Sequence, residues 1–333
     1  MRAAFRRGSA ITVREVDPPR VGPGQVRVRV SACGICGTDV HADTAGASQE
    51  RTFGHEVAGT VAACGEGVRG LEVGQRIVLE SATACGRCAN CRNTRQELCT
   101  DMQSFFYLGS FGFADEMLSP AACVIPCDDL SPEVACISEP LGVAIDLVRL
   151  ADITPTSNVL LLGAGPIGLM ALALARRMGA RRVFVSEYGT QTARCRLARA
   201  WGADAVIDPS RDAVKDADFG CAIDRVLVTA PPATLPTAFA VAAKGGLIAF
   251  IGIAAGGDPS CTFDANAFHF KKLQLRASFA SPALYTPMAL QYLREGVVDG
   301  EALISHRFPL DRMAEAMTTA QSDPEAVKVV VVP

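Results

Sequence analysis

Residues 33–41 bring four side chains of different chemistry close together in the sequence. The thiol of Cys36 is followed by the hydroxyl of Thr38, the carboxylate of Asp39 and the imidazole of His41. Residues 26–30 alternate valine with arginine, which predicts a strand with one apolar face, and the glycines around Cys36 predict a tight loop. Cys36 is therefore expected where a strand opens into a turn, a common place for a metal ligand.

Further metal ligands of the right type follow at two places. His55 and Glu56 are neighbours, and Glu139 lies in a Ser-Glu-Pro-Leu-Gly stretch. One cysteine, one histidine and one or two carboxylates, with a position left open, are typical of a catalytic zinc rather than a structural one. Taken singly, a buried cysteine is usually a small apolar residue and Glu-Pro usually begins a helix, so the prediction depends on their joint occurrence.

A second set of ligands consists of cysteines alone, at Cys85, Cys88, Cys91 and Cys99. Three thiols at every third position cannot all form disulfides with one another. A tight loop can instead direct them at one metal ion, and the fourth thiol completes its tetrahedral coordination. The residues between them are mostly polar, which argues against a buried core segment. This spacing predicts a structural zinc site.

Residues 1 to about 150 must position both sets of ligands. They contain short alternating runs at 10–13, 26–30, 57–62 and 76–79, separated by glycine turns. That pattern predicts a mostly antiparallel β domain.

The pattern changes near residue 152. Residues 159–162 are a continuous apolar run, as expected of a strand buried on both faces of a parallel sheet, and residues 169–178 predict a helix. Between them stands the fingerprint of a dinucleotide-binding loop, formed by Gly163, Gly165, Pro166, Ile167 and Gly168. The first glycine is expected to make the turn, the second to admit a pyrophosphate, and the third to let helix and strand pack closely.

Glu187 ends the next predicted strand, residues 182–186, at about the distance from Gly168 where an acidic residue grips the ribose hydroxyls. A carboxylate there would repel a 2′-phosphate, so NAD is the predicted cofactor. Arg194 and Arg196 follow closely and could bind a 2′-phosphate, which keeps NADP as the alternative. Strands and helices continue to alternate up to residue 278, which predicts a doubly wound α/β sheet.

Charge and length narrow the class of protein. At 333 residues the chain is long enough for two domains, and a net charge of −3 gives no basic field for nucleic acid or anionic lipid. The basic start of the chain leads into no apolar run typical of a signal peptide, and no stretch reaches the length needed to cross a bilayer. Thirteen cysteines, an odd number, fit a reduced compartment better than a disulfide framework. We expect a cytoplasmic protein that binds neither membrane nor nucleic acid.

Together these motifs resemble the zinc-dependent medium-chain dehydrogenase/reductase family over nearly the whole chain. The similarity also includes residues 112–115, 139–141 and 304–310, and it is greatest for the polyol branch of sorbitol-, butanediol- and threonine-dehydrogenase-like enzymes. The resemblance implies a GroES-like, mostly β catalytic domain at 1–151 and 287–333, and a Rossmann domain with a parallel sheet at 152–286. It also implies a homodimer or homotetramer, and a substrate pocket bordered by the segment between Cys36 and His55.

Carried over by position, the resemblance assigns roles at the metal. It implies that Cys36 and His55 bind the catalytic zinc, that Glu56 or Glu139 completes the site, and that the other carboxylate holds the metal-bound water. Thr38 would accept the substrate hydroxyl proton and His41 would relay it onward through the ribose hydroxyl. Asp39 would orient His55.

The predicted activity is hydride transfer between NAD(P) and a small-molecule secondary alcohol, such as a polyol, cyclitol or aminocyclitol, or the corresponding ketone. The alternative within the family is a threonine-like amino alcohol or an aldehyde-derived substrate. A nucleotide-binding protein without activity would be expected to have lost ligands that are all present here. A nucleic-acid-binding zinc finger would need a basic helix and net positive charge.

Overall fold

The structure, a computed structural model, describes residues 1–41, 49–254 and 258–333. Residues 42–48 belong to the segment expected beside the substrate pocket and lie outside the described residues. The chain divides into two compact units: unit 1 comprises Met1–Gly142, Ala280–Asp323 and Lys328–Pro333, and unit 2 comprises Val143–Phe279 and Pro324–Val327. The first change of unit falls inside the helix Ser138–Leu150.

The elements of the N-terminal part are β1 (Arg2–Arg7), β2 (Ala10–Glu15), β3 (Gln25–Gly34), α1 (Gly37–His41), β4 (Glu56–Cys64), β5 (Arg76–Leu79), β6 (Ala82–Thr83), α2 (Ala89–Arg92), β7 (Gln103–Ser104), β8 (Glu116–Pro120), β9 (Val124–Pro126), α3 (Pro132–Ala135) and α4 (Ser138–Leu150). The middle of the chain forms β10 (Asn158–Leu162), α5 (Pro166–Arg177), β11 (Arg182–Ser186), α6 (Thr192–Ala200), β12 (Ala205–Ile207), β13 (Ile223–Val228), α7 (Leu235–Val241), β14 (Ala242–Phe250), α8 (Ala265–Lys271) and β15 (Gln274–Ala277). The C-terminal part contains α9 (Thr286–Arg294), α10 (Gly300–Leu303), β16 (Ile304–Pro309), α11 (Met313–Ser322) and β17 (Lys328–Val332).

Unit 1 is built on a seven-stranded sheet. Its strands follow the order β16-β17-β3-β4-β5-β9, and β8 pairs with β3. All pairs are antiparallel except β16 with β17. Val26, Val28 and Val30 of β3 are buried, as the alternating sequence predicts. The C-terminal strand β17 pairs directly with β3, the strand that leads to Cys36, through Val330↔Gly34 and Val331↔Cys33.

Unit 2 is built on a six-stranded parallel sheet in the order β12-β11-β10-β13-β14-β15. The order reverses between β10 and β13, which is the arrangement of a Rossmann sheet. All five residues of β10 are buried, as expected of a strand covered on both faces. The predicted fold class, a mostly β GroES-like domain with a doubly wound parallel-sheet domain, is confirmed.

One predicted element of unit 2 is too long. The sequence predicts a helix over 233–243, whereas α7 ends at Val241 and β14 begins at Ala242. Ala242 pairs with Ile223 across a register shift, so these alanines join the sheet despite their helical propensity. In the described ranges, no helix combines the length and the apolar composition that crossing a membrane requires.

Candidate active site

The four cysteines predicted to bind a structural ion come together in a single loop region, which we call the four-cysteine cluster (Cys85, Cys88, Cys91 and Cys99). The sulfur atoms of Cys85 and Cys91 are 4.0 Å apart, as are those of Cys88 and Cys99. A tetrahedral zinc with bonds of about 2.3 Å places its sulfur ligands roughly 3.8 Å apart. All four thiols are free, so the spacing suits a metal ion rather than disulfides.

Backbone N–H groups point at the sulfurs of this cluster. The N–H of Cys88 donates to Cys85 Sγ at 3.3 Å, that of Cys91 to Cys88 Sγ at 3.5 Å, and that of Cys85 to Cys99 Sγ at 3.3 Å. Hydrogen bonds from the backbone of Cys91 and Thr100 lower the pKa of Cys88 to about 6. The loop therefore stabilises the thiolate of Cys88, the form in which cysteine binds metals, whereas burial raises the pKa of Cys91 to about 12.

The second group, which we call the Cys36 cluster, consists of Cys36, His55 and Glu56. One ligand atom of each lies within 4.8 Å of the others. Cys36 stands in the turn between β3 and α1, His55 directly precedes β4, and Glu56 is the first residue of β4. Gly54 has φ +93°, and a Cβ there would lie 2.5 Å from the Phe113 ring, so only glycine fits before His55.

Glu56 is the most buried member of this cluster, with no exposed surface. Its Oε2 forms an ion pair with Nζ of Lys328, which is 1 % exposed, while its Oε1 has no hydrogen-bond partner among the described residues. Burial acts to lower the pKa of Lys328, but the charges of Glu56 and Cys36 outweigh burial and raise it, so the ammonium stays charged. A buried carboxylate oxygen without a partner is a free ligand position for a cation.

Asp39 and His55 are neighbours within the site. Asp39 Oδ2 accepts the N–H of Cys36 at 3.0 Å, and its Oδ1 lies 3.9 Å from Nδ1 of His55, too far for a hydrogen bond. Burial acts to lower the pKa of His55, but its hydrogen bond with Cys36 and the charge of Asp39 raise that pKa well above its usual value. Asp39 thus orients the Cys36 turn directly and acts on His55 through its charge.

Glu139 lies on the first turn of α4 beside the same cluster. Its Oε1 accepts a hydrogen bond from Ser81 Oγ at 3.2 Å. Burial raises the pKa of Glu139, the charge of Glu56 raises it further, and the charge of His55 acts in the opposite direction. The two carboxylates predicted to share the metal therefore differ: Glu139 is held by a hydroxyl, and Glu56 by an ammonium.

Thr38 and His41, the predicted proton-transfer residues, lie on the short helix α1. Both side chains are exposed, whereas Asp39 between them is buried. Helix α1 therefore turns the predicted proton acceptors outward and the carboxylate inward.

An aromatic wall, formed by Phe105, Phe106 and Phe111, stands beside His55. The Phe106 ring meets the His55 ring edge-on, with centroids 6.0 Å apart, and stacks on Phe111 at 5.4 Å. Phe105 is fully buried and supports Phe106 edge-on at 5.0 Å. Phe106 itself is 41 % exposed, so it presents an apolar face next to a candidate ligand.

The glycine-rich loop of unit 2 has the geometry that its sequence predicts. Gly163 has φ +99°, which makes the turn after β10. A Cβ at Gly168 would lie 2.1 Å from the Gly163 carbonyl oxygen, so helix and strand pack through a glycine, whereas a Cβ at Gly165 would meet open space. Pro166 and Ile167 begin α5, with Gly165 as its N-cap. Open space before a helix N-terminus is where an anion can approach the backbone.

Glu187 follows β11 and reaches back to this loop. Its Oε2 accepts the N–H of Ala164 at 2.8 Å, and its Oε1 accepts the N–H of Tyr188 at 2.9 Å. Arg194, the candidate 2′-phosphate ligand, has Nη1 4.0 Å from Glu187 Oε2 and donates Nε–H to the Ala326 carbonyl at 3.3 Å. Arg196 forms an ion pair with Glu325. Both arginines therefore have acidic neighbours within unit 2.

Three side chains near the Cys36 cluster are not predicted by the sequence: Lys328, Phe106 and Ser81. Lys328 carried a signal, since it is a single lysine in the otherwise apolar run 326–332. A charged residue in a buried strand requires a partner, although the partner's identity depends on the fold. Phe106 and Ser81 carried no comparable signal.

Comparison with known proteins places the chain in a family. The model of the alcohol dehydrogenase GroES-like domain matches residues 22–129, and the zinc-binding dehydrogenase model matches residues 166–294. Curated relatives include an L-idonate 5-dehydrogenase of Vitis vinifera (32 % identity, covering 93 % of this chain and 88 % of that protein) and a sorbitol dehydrogenase of Arabidopsis thaliana (31 %, 93 % and 89 %). An L-threonine 3-dehydrogenase of Saccharopolyspora erythraea is 31 % identical, covering 97 % of this chain and 96 % of that protein.

Solved structures agree with this placement. A zinc-binding dehydrogenase from Sinorhizobium meliloti 1021 bound to NADP has a TM-score of 0.86 at 31 % identity, and an alcohol dehydrogenase from Escherichia coli CFT073 complexed with NADH has a TM-score of 0.90 at 26 % identity. In both comparisons the match covers 100 % of this chain and 99 % of the other. The chain belongs to the zinc-dependent medium-chain dehydrogenases, a family of NAD(P)-dependent oxidoreductases, as the sequence motifs predict.

Proposed function

We propose that the Cys36 cluster holds a catalytic zinc and the four-cysteine cluster a structural one. The observation that carries the first assignment is that a thiol, an imidazole and a carboxylate oxygen of the fully buried Glu56 lie within 4.8 Å of one another. Sulfur, nitrogen and oxygen donors in this number suit zinc with one position left for substrate. Metal analysis of freshly purified protein is expected to give two zinc ions per chain, and one or none would contradict the assignment.

At the Cys36 cluster, zinc would supply a Lewis acid that lowers the pKa of an alcohol hydroxyl. Thr38, exposed on α1, would accept the hydroxyl proton, and His41 would pass it on. Glu139 would hold a water molecule beside the cluster through the carboxylate oxygen that Ser81 leaves free. The glycine-rich loop and Glu187 would hold NAD, whose nicotinamide would supply the hydride acceptor.

NAD is the proposed cofactor rather than NADP. Glu187 places a carboxylate at the end of β11, and Arg194 lies close enough to Glu187 to be partly neutralised by it. Replacing Glu187 with alanine should therefore weaken NAD binding far more than NADP binding, because a ribose contact is lost in the first case and a repulsion is relieved in the second. Titration of both dinucleotides into wild type and variant tests this. A wild type that already prefers NADP would show that Arg194 or Arg196 dominates.

The proposed substrate is a secondary alcohol of a polyol, cyclitol or aminocyclitol, or the matching ketone. The idonate and sorbitol dehydrogenases among the relatives support this class, and the threonine dehydrogenases support an amino alcohol as the second candidate. A panel of polyols, cyclitols and amino alcohols, assayed with each dinucleotide, separates the two by kcat/KM. Activity restricted to threonine-like compounds would favour the second.

We propose in addition that the chain works in the cytoplasm as a homodimer or homotetramer. Strand β15 forms one edge of the parallel sheet of unit 2. Leu275 on this strand is 40 % exposed, and Phe279, which follows the strand, is 77 % exposed. Such edges are normally covered in proteins. Light scattering of the purified protein measures the oligomer, and a monomer at micromolar concentration would contradict it.

A further inference from the structure

The strand that ends unit 1 carries a fully buried ammonium. Lys328 is the first residue of β17 and is followed by Val329, Val330 and Val331, which are also buried. A lysine is almost never this buried unless it is paired, because an isolated charge loses its hydration in the interior. The contacts of Lys328 therefore have to be specific.

Lys328 contacts both chain segments that contribute to the Cys36 cluster. Its Nζ pairs with Glu56 Oε2 on β4 and donates to the carbonyl oxygen of Ile35 at 2.9 Å. Ile35 directly precedes Cys36, and its own N–H donates to the Val329 carbonyl at 2.9 Å. The terminal strand thus holds both backbone polar groups of the residue before the candidate thiolate ligand.

Gly34 leaves the space in which this ion pair forms. It lies opposite Glu56 in the β3–β4 register. A Cβ at position 34 would come within 2.0 Å of Glu56 Oε2 and 2.9 Å of Lys328 Cε. Gly34 is therefore required for the space that the ion pair occupies. Its backbone conformation alone would also allow other residues.

We propose that Lys328 is a positioning residue of the metal centre: by holding Glu56 Oε2 and the Ile35 carbonyl, it directs Glu56 Oε1 and Cys36 toward one ion. Among the described residues, the ammonium is the one partner of the Glu56 carboxylate, so without it the carboxylate is free to turn. The inference depends on the proposed zinc site at the Cys36 cluster. It adds that the far C-terminal strand controls metal binding there.

The test compares Lys328→Met with Lys328→Gln, which keeps a donor for the Ile35 carbonyl but loses the charge. Lys244→Met, which removes an exposed lysine of unit 2, is the control. Each protein is stripped of the labile zinc and titrated with Co²⁺, whose visible spectrum reports the geometry of its ligands. Zinc retained by the four-cysteine cluster serves as the reference for correct folding. Groups that orient a metal ligand typically change metal affinity about 10–100-fold.

We expect Lys328→Met to bind Co²⁺ at the Cys36 cluster at least about tenfold more weakly, with an altered spectrum. Lys328→Gln should fall between Lys328→Met and wild type, and the four-cysteine zinc should stay in place. In a Glu56→Gln background, in which Cys36 and His55 bind Co²⁺ only weakly, the same Lys328→Met change should cost a smaller factor of the remaining affinity than it does beside Glu56, because only the contact with the Ile35 carbonyl is then lost. This uncharged double variant also avoids an unpaired buried charge that could prevent folding.

Unchanged Co²⁺ affinity and spectrum in Lys328→Met would overturn the inference. Tighter binding would also overturn it, since the ammonium would then compete with the metal for Glu56 rather than present Glu56 to it. An equal loss in both backgrounds would show that Lys328 does not act through Glu56. A wild type that binds no metal at the Cys36 cluster would instead contradict the proposed function itself.

Discussion

The two candidate metal sites of unit 1 are built in opposite ways. The four-cysteine cluster comes from one short stretch of chain, and backbone N–H groups point at its sulfurs. The Cys36 cluster joins the ends of two strands, and its buried charges are balanced by Lys328 from the end of the chain. The first site depends on local loop geometry, whereas the second depends on the complete sheet.

This difference is the one expected between a structural metal site and a catalytic one. Four thiolates fill a tetrahedral shell and leave no position for substrate. A thiolate, an imidazole and a carboxylate leave one position open, and their ammonium neighbour limits the negative charge near the metal. The open site should therefore exchange its ion faster and remain the stronger Lewis acid.

Chelation should give the largest effect of this difference. Dialysis against a chelator at neutral pH is expected to remove one zinc per chain and abolish activity, while the second zinc and the folded structure persist. Zinc analysis, activity and circular dichroism along the same time course measure this. Simultaneous loss of both ions, or earlier loss from the four cysteines, would contradict the contrast between a closed and an open site.

The two carboxylates near the Cys36 cluster should also differ. Glu56→Gln is expected to lose the zinc of that cluster, because a carboxylate oxygen of the buried Glu56 lies within 4.8 Å of the other two ligand atoms. Glu139→Gln should keep both zinc ions and lose activity about 10–100-fold, as expected of a group beside the metal rather than on it. Zinc content and kcat/KM of the two variants decide between them. Full zinc and full activity in both would mean that neither carboxylate acts at the metal.

The local features of this molecule were predictable from its sequence. Strands β10 and β11, the glycine-rich loop and the four-cysteine spacing each follow from a few consecutive residues whose pattern has one main physical reason. The length of α7 was not predictable, because the pairing of Ala242 with Ile223 overrides helical propensity. Nor was the partner of Lys328, since Glu56 lies hundreds of positions earlier and only the sheet order brings β17 close to it.

Gly34→Ala tests the same contrast by sterics instead of charge. The added methyl would overlap Glu56 Oε2, so we expect weaker zinc binding at the Cys36 cluster and an unchanged four-cysteine zinc. Gly142→Ala is the control, because Gly142 lies on helix α4 and a Cβ there would meet open space. A glycine with a positive φ, such as Gly67 at +80°, would be strained by any side chain and cannot serve as the control. Equal zinc content in Gly34→Ala and wild type would show that the carboxylate tolerates displacement.

The smallest effect should come from a change in the aromatic wall. This change distinguishes the residues that surround the Cys36 cluster from the residues that bind the metal. Phe106 packs edge-on against His55 without offering a ligand atom, and it is 41 % exposed, so a substrate bound beside His55 can contact it. Phe106→Ala should therefore raise KM for the best substrate of the panel by roughly 2–10-fold, the range of a lost aromatic contact, while both zinc ions remain. Tyr107→Ala is the matched control, since Tyr107 lies on the same 3-10 turn and is 71 % exposed. A Phe106→Ala protein that loses zinc would show that the wall supports His55 as a ligand. One with unchanged KM would remove the wall from the substrate pocket.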